Sequence, residues 1–194
     1  MLENFILKEG YKKILYTLVI SVFFDFFISS FLANLGYVLC IVLLFVFRNQ
    51  NKYFAPKKNT LAICDGTITA IDIKGKKSIL HIDVSIFNKH ILRAPQDGKI
   101  SLISKKHGLN LNADSYISKK LNNSITFMFN DLKITLIEGC LNMHTSLSKK
   151  NEEFSQNQKI GVFTSGKIII EMNSLLNKNI TLGQKLVAGE SILV

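Results

Sequence analysis

Cysteine is scarce and unpaired in this chain. Cys40, Cys64 and Cys140 lie far apart, with no CxxC pair and no histidine-rich cluster beside them. That spacing argues against a zinc site and fits a reducing compartment. Acidic residues are also few, 14 against 24 lysines and arginines, which leaves a net charge of +10. An excess of this size points to an anionic neighbour, either nucleic acid or an acidic lipid surface. An arginine-rich helix, aromatic–basic interleaving and any nucleic-acid motif are all missing, and the cations are mostly scattered lysines. Nucleic acid is therefore not expected as a partner. The 194 residues give room for one ordinary domain and an appendage.

Charge is nearly missing between Ile14 and Phe47, where Asp25 is the single charged residue. The run is too long for the apolar part of a signal peptide and has no small-residue cleavage site. A spanning helix needs about 20 residues, so the run reads as one very long helix or two short ones. Asn34-Leu35-Gly36 is the expected break. Each half is then short for a full transmembrane helix, which favours tilting, local thinning or a re-entrant hairpin. Lys8, Lys12 and Lys13 precede the run, and Arg48, Lys52, Lys57 and Lys58 follow it. Basic flanks mark the cytoplasmic side, so the chain crosses twice or dips in and returns. The expected location is the inner, cytoplasmic membrane with the soluble part facing the cytoplasm. A buried helical pair in a soluble core is the plainer alternative. Asp25 at membrane depth would ordinarily face a partner or a watery cavity; no mate is visible and no role is assigned to it.

Beyond Pro56-Lys57-Lys58 the pattern changes to short alternating runs. "TITAIDI", "SILHIDV", "KISLIS", "SITFMF", "KITLIEG" and "KIIIEM" each read as a strand. Turn chemistry separates them at Gly75-Lys76-Lys77, Gln96-Asp97-Gly98, Asn122-Asn123 and Asn130-Asp131. No convincing helical stretch is expected among them. The predicted fold class is mainly β: a compact β domain over 59–194, preceded by an N-terminal α-helical membrane hairpin over 14–47. A cytoplasmic segment over 1–13 and a basic linker over 48–58 complete the organisation.

Three stretches, taken in order, resemble the phosphatidylserine decarboxylase family. They are "CDGTITAI", then "DVSIFNKHILRAPQDGKI", then "IEGCLN", "IGVFTSGKIIIEM" and "ITLGQKLVAGESILV" as one C-terminal series. "KEGY", the apolar pair and "FVFRNQNKYFAP" are similar to the short membrane-anchored form, so the resemblance covers almost the whole chain. It implies a self-processing carboxy-lyase. In such a protein a Ser hydroxyl attacks the carbonyl of the preceding Gly, and β-elimination and hydrolysis leave a pyruvoyl group. That carbonyl cofactor forms a Schiff base with phosphatidylserine and accepts electrons as carbon dioxide leaves, giving phosphatidylethanolamine.

The resemblance assigns roles residue by residue. Asp65 takes the place of the Asp that supports self-cleavage by orienting the base; its plain alternative is an Asp-Gly turn. His90 matches the signature His, an acid or base near the reacting headgroup, and its plain alternative is a structural strand residue. Arg93 matches the signature Arg, suited to a carboxylate or phosphate. Asn88 and Leu92 depart from that signature. The larger departure is at the processing position, where the family has Gly-Ser and this chain has Gly166-Lys167. Lysine cannot perform the acyl shift, because its amine is too long and is protonated at neutral pH. Nor can it replace the pyruvoyl group, since two amines make no Schiff base. Gly-Ser occurs nowhere in the chain; Gly139-Cys140 and Gly66-Thr67 are the only glycines followed by a thiol or an aliphatic hydroxyl, and neither is expected at the bend.

The expected function is a phosphatidylserine decarboxylase-related membrane protein of phospholipid metabolism that is not self-processing and carries no cofactor. His90, Arg93 and Lys167 would bind lipid, with Lys167 turned from reaction to binding. Its partners would be anionic phospholipid such as phosphatidylserine, the membrane, and an active phospholipid-synthesis enzyme. The alternatives are an active pyruvoyl-dependent decarboxylase and a structural membrane-surface protein.

Overall fold

Two antiparallel helices, α1 (Lys8–Phe27) and α2 (Ser30–Val46), account for the apolar N-terminal run. They fall in the first of two units into which the chain divides, Met1–Lys52 and Tyr53–Val194. The computed structural model describes residues 6–49, 59–112, 115–148 and 152–194. Most of the expected 48–58 linker, and with it Lys52, Lys57 and Lys58, lies outside the described residues, as does the start of the 1–13 segment.

The helices differ from expectation at both ends of the run. α1 begins at Lys8, before Ile14, and the chain turns at Ile28-Ser29, before Asn34-Leu35-Gly36. The backbone N–H groups of Ile28 and Ser29 both donate to the Phe24 carbonyl, at 3.0 and 2.8 Å, which closes the end of α1. Gly36 lies inside α2 because the helices touch there: a Cβ on Gly36 would fall 2.1 Å from Ser21 Oγ. A helical glycine costs about 1 kcal/mol against alanine, and here close helix–helix approach offsets it. Ser21 Oγ donates to the Thr17 carbonyl at 2.7 Å, so this hydroxyl is satisfied within its own helix. At 1.5 Å per residue the helices are about 30 and 25 Å long. Among the described residues no helix is long and apolar enough to cross a membrane, so the expected transmembrane helix is not found. The hairpin nevertheless leaves large apolar side chains in the open, with Phe26 and Phe31 each 79% exposed.

The second unit is built on antiparallel strands. One sheet contains β1 (Gly66–Lys74), β2 (Lys77–Val84), β4 (Gly98–Lys106), β5 (Ser124–Phe129), β6 (Leu132–Glu138), β8 (Glu153–Phe154), β10 (Gly166–Met172) and β11 (Lys185–Leu186). Its order is β11-β1-β2-β10-β6-β5-β4-β8. A second sheet runs β3-β9-β7, formed by Ile91–Arg93, Lys159–Phe163 and Thr145–Leu147. The six runs expected as strands are β1, β2, β4, β5, β6 and β10. Alternation explains them: on β2, Ser78, Leu80, Ile82 and Val84 are buried while the residues between are half-buried. Side chains from both sheets share one core, with Leu80, Ile82, Phe127 and Ile168 meeting Leu92, Ile160 and Phe163. Gly75 and Asn130, both at positive φ, turn the two hairpins as their residue types suggest. One short helix, α3 (Tyr116–Leu121), was not expected. Ser115 caps it, its Oγ accepting from the Ser118 N–H at 3.0 Å.

Candidate functional site

The bend at Thr164-Ser165-Gly166 is where the chain leaves one sheet for the other. β9 pairs with β3 and β7, whereas β10 lies between β2 and β6 in the middle of the large sheet. Buried Thr164 fixes the crossing. Its Oγ1 accepts from the Met143 and His144 N–H groups at 2.8 and 3.0 Å, and Asn142 Oδ1 lies within hydrogen-bond distance of the same hydroxyl. Gly166 follows at φ +139°, a backbone conformation that favours glycine. A Cβ there would fall 2.1 Å from the Ile137 carbonyl oxygen and 2.8 Å from the Gly139 nitrogen. Gly139 is close in turn: its N–H donates to the Ser165 carbonyl at 3.1 Å, and a Cβ on it would stand 3.2 Å from Gly166 Cα. Gly139-Cys140, not expected at the bend, therefore lies against it.

A cavity of about 220 Å³ adjoins these two glycines. Ser85, Phe87, Cys140, Leu141 and Ser165 contribute to its lining. Cys140 is exposed, whereas Cys40 and Cys64 are buried.

Lys167, next after Gly166, is only 8% exposed. The register puts it directly across from Asp83 on β2 and from Ile137 on β6. Asp83 and Lys167 thus sit side by side on the sheet face opposite the Leu80–Ile82–Ile168 core. His81 belongs to the same face, with Nε2 3.3 Å from Asp72 Oδ2. Burial holds the His81 imidazole below its usual range. The charge of Lys119 lowers it further, Asp72 opposes this by charge and hydrogen bond, and Lys167 adds a smaller lowering.

Asp65 and Arg93 form a different neighbourhood. Asp65 Oδ1 accepts from the Ala188 N–H at 2.8 Å, tying the start of β1 to the C-terminal segment. Burial lowers the Arg93 guanidinium from its usual range, and the charge of Asp65 opposes that shift. Arg93 Nη1 donates to the Asn157 carbonyl at 2.9 Å. Burial, followed by the Asp65 charge, pushes the Cys64 thiol far up. His90 is 1% exposed, with Nε2 3.1 Å from the Ile86 carbonyl. Its own carbonyl accepts from the Phe163 N–H at 2.8 Å, fastening the 85–90 loop to β9 just before the bend. His90 is thus joined to the bend through backbone, and Asp65 to Arg93 through charge. Thr164, Asn142 and Gly139 complete the bend, and no local pattern announces them because they meet only across the two sheets. Among the described residues no group of three His, Cys, Asp or Glu could hold a metal ion.

Fold and bend together define an antiparallel β domain organised around a glycine crossing, with lysine directly after the glycine. The family model described as phosphatidylserine decarboxylase matches residues 42–194, and the chain belongs to that family. A phosphatidylserine decarboxylase proenzyme of Pelagibacter ubique is 26% identical, covering 100% of this chain and 99% of the relative. Proteins of the same name from Zymomonas mobilis and Syntrophus aciditrophicus are 25% and 26% identical, covering 95% and 98% of this chain and 84% and 97% of theirs. Membership of this family places the chain in phospholipid metabolism.

Proposed function

We propose that this chain is a non-catalytic member of the family that holds a phosphatidylserine-type headgroup without decarboxylating it. One observation carries the reading: Gly166 keeps the bend, at φ +139° between two backbone neighbours, but the residue after it is Lys167. A pyruvoyl group needs an oxygen or sulfur on the β-carbon of that residue, to receive the acyl group and then leave. Lysine carries neither, so residue 167 does not fit the cofactor. The cavity beside the bend offers Ser85, Ser165 and Cys140 to a headgroup. Within this reading His90 supports the wall formed by the 85–90 loop, Lys167 with Asp83 supplies charge beneath it, and Arg93, held by Asn157 and near Asp65, lies away from the cavity. The helical hairpin, apolar on most of its surface, dips into one leaflet and returns without spanning.

Active decarboxylation is the second reading, and the position of Gly139-Cys140 against the bend favours it. A Cys140 thiolate could attack the Gly139 carbonyl to give a thioester. β-Elimination would release the thioacid and leave dehydroalanine, which water would convert to a pyruvoyl group and ammonia.

The test is the intact mass of full-length protein with and without a carbonyl-reactive hydrazine. The non-catalytic reading expects one chain of 21.9 kDa and no adduct. A hydrazine-bearing fragment beginning at position 140 would replace that reading with the second, and one beginning at 167 would overturn the account of Lys167.

A further inference from the structure

Two exposed apolar side chains flank the mouth of the cavity from separate loops. Phe87, 70% exposed, comes from the β2–β3 loop, and Leu141, 55% exposed, from the β6–β7 loop. Single exposed apolar residues are ordinary, but a pair on one ligand-sized mouth with polar residues between them is a feature to explain. The loops hold them outward. The Ser85 N–H donates to Asn88 Oδ1 at 2.8 Å and the Asn88 N–H to the Ser85 carbonyl at 2.9 Å, bracketing Phe87. The Asn142 N–H donates to the Gly139 carbonyl at 3.0 Å, bracketing Leu141. Their exposure is therefore built into tight turns. Lys89 stands in the Phe87 loop, and the chain as a whole carries +10.

We infer that Phe87 and Leu141 form a lip that enters the interfacial layer of an anionic bilayer and seats the mouth of the bend cavity on the lipid headgroups. This rests on the reading that the cavity receives a lipid headgroup. A headgroup attached to two acyl chains cannot reach a cavity in a water-bound domain without leaving the bilayer, whereas a lip that penetrates shallowly brings the mouth to it. The positive chain supplies attraction to the anionic surface, and the two apolar side chains supply the short-range hold.

The chain contains no tryptophan, so Phe87→Trp and Leu141→Trp each give a single reporter. Ile73→Trp is the control, 60% exposed at the opposite end of β2 from the cavity. Full-length variants are reconstituted in phosphatidylserine–phosphatidylcholine vesicles containing lipids brominated at shallow or deep acyl positions. Both lip reporters should shift to the blue and lose most of their emission, more to the shallow bromines, because interfacial side chains reach about 5–10 Å below the surface. The control should keep its emission. If both lip reporters are no more quenched than the control, the lip inference is overturned. Protection of Cys140 from alkylation by soluble short-chain phosphatidylserine reads the headgroup site separately. Protection with unquenched reporters would remove the lip and leave the headgroup reading standing. Quenching without protection would support the lip and remove the headgroup reading.

Discussion

Replacing Gly166 with alanine tests the bend most directly. The residue sits at φ +139°, and its new Cβ would be 2.1 Å from the Ile137 carbonyl oxygen, 2.8 Å from the Gly139 nitrogen and 2.9 Å from Phe163 Cζ. Only the Phe163 contact belongs to a side chain that could rotate away. The other two are backbone, and Gly166 is paired there with both β2 and β6. An L-residue in this sparsely populated conformation costs about 1–3 kcal/mol. Relief of the clash would separate β10 from β6 and weaken one or two ladder hydrogen bonds at about 1 kcal/mol each, and together the change costs about 3 kcal/mol. That is a large part of the roughly 5–15 kcal/mol available to a domain. A fall in melting temperature of roughly 10 °C follows, since 1 kcal/mol moves a chain of this size by about 2–4 °C. Gly75→Ala is the comparison, because Gly75 also has positive φ but nothing lies within 4 Å of its Cβ position. It should cost about 1 kcal/mol, from backbone conformation alone. Far-UV circular dichroism during thermal unfolding in mild detergent measures both. Equal losses in the two variants would refute the crowding between Gly166 and β6.

Three further outcomes follow from burial and charge. The lowered His81 keeps the folded state from taking up a proton that the unfolded chain binds below about pH 6.5. Its stability contribution is therefore complete above that pH and lost as pH falls toward the folded value, and His81→Gln should flatten the decline in melting temperature between pH 7 and 5. Only Cys140 should react rapidly with an aromatic disulfide reagent in the native protein, because Cys40 and Cys64 are buried; fast loss of more than one thiol would contradict that burial. Ser78 is fully buried, and its hydroxyl has no hydrogen-bond partner among the described residues. Ser78→Ala should therefore raise stability by about 1 kcal/mol, and a loss of that size in a chemical denaturation curve would mean the hydroxyl is paired.

The strands were legible where one face of the large sheet meets the core. Leu80, Ile82, Ile168 and Ile170 alternate with less buried residues at the period a pleated strand imposes. β8 and β11, each of two residues, are too short to alternate, and their existence depends on partners remote in sequence. Gly36 misled for a related reason. A glycine that ends a helix and one that lets a second helix approach look alike until Ser21 is seen against it. At the site, motif order pointed to Gly166, and its neighbour Gly139 became visible only through the pairing of β10 with β6. Lys167 gains most from the register. Read along the chain it is expected, by resemblance, to replace a nucleophile, yet a lysine 8% exposed in the middle of a sheet would be costly to hold without a nearby opposite charge. The strand register puts Asp83 directly across from it. Serine at the same position would leave that carboxylate facing a neutral hydroxyl. By register, then, lysine at 167 faces an opposite charge across the strands, an arrangement that favours holding it in the middle of this sheet.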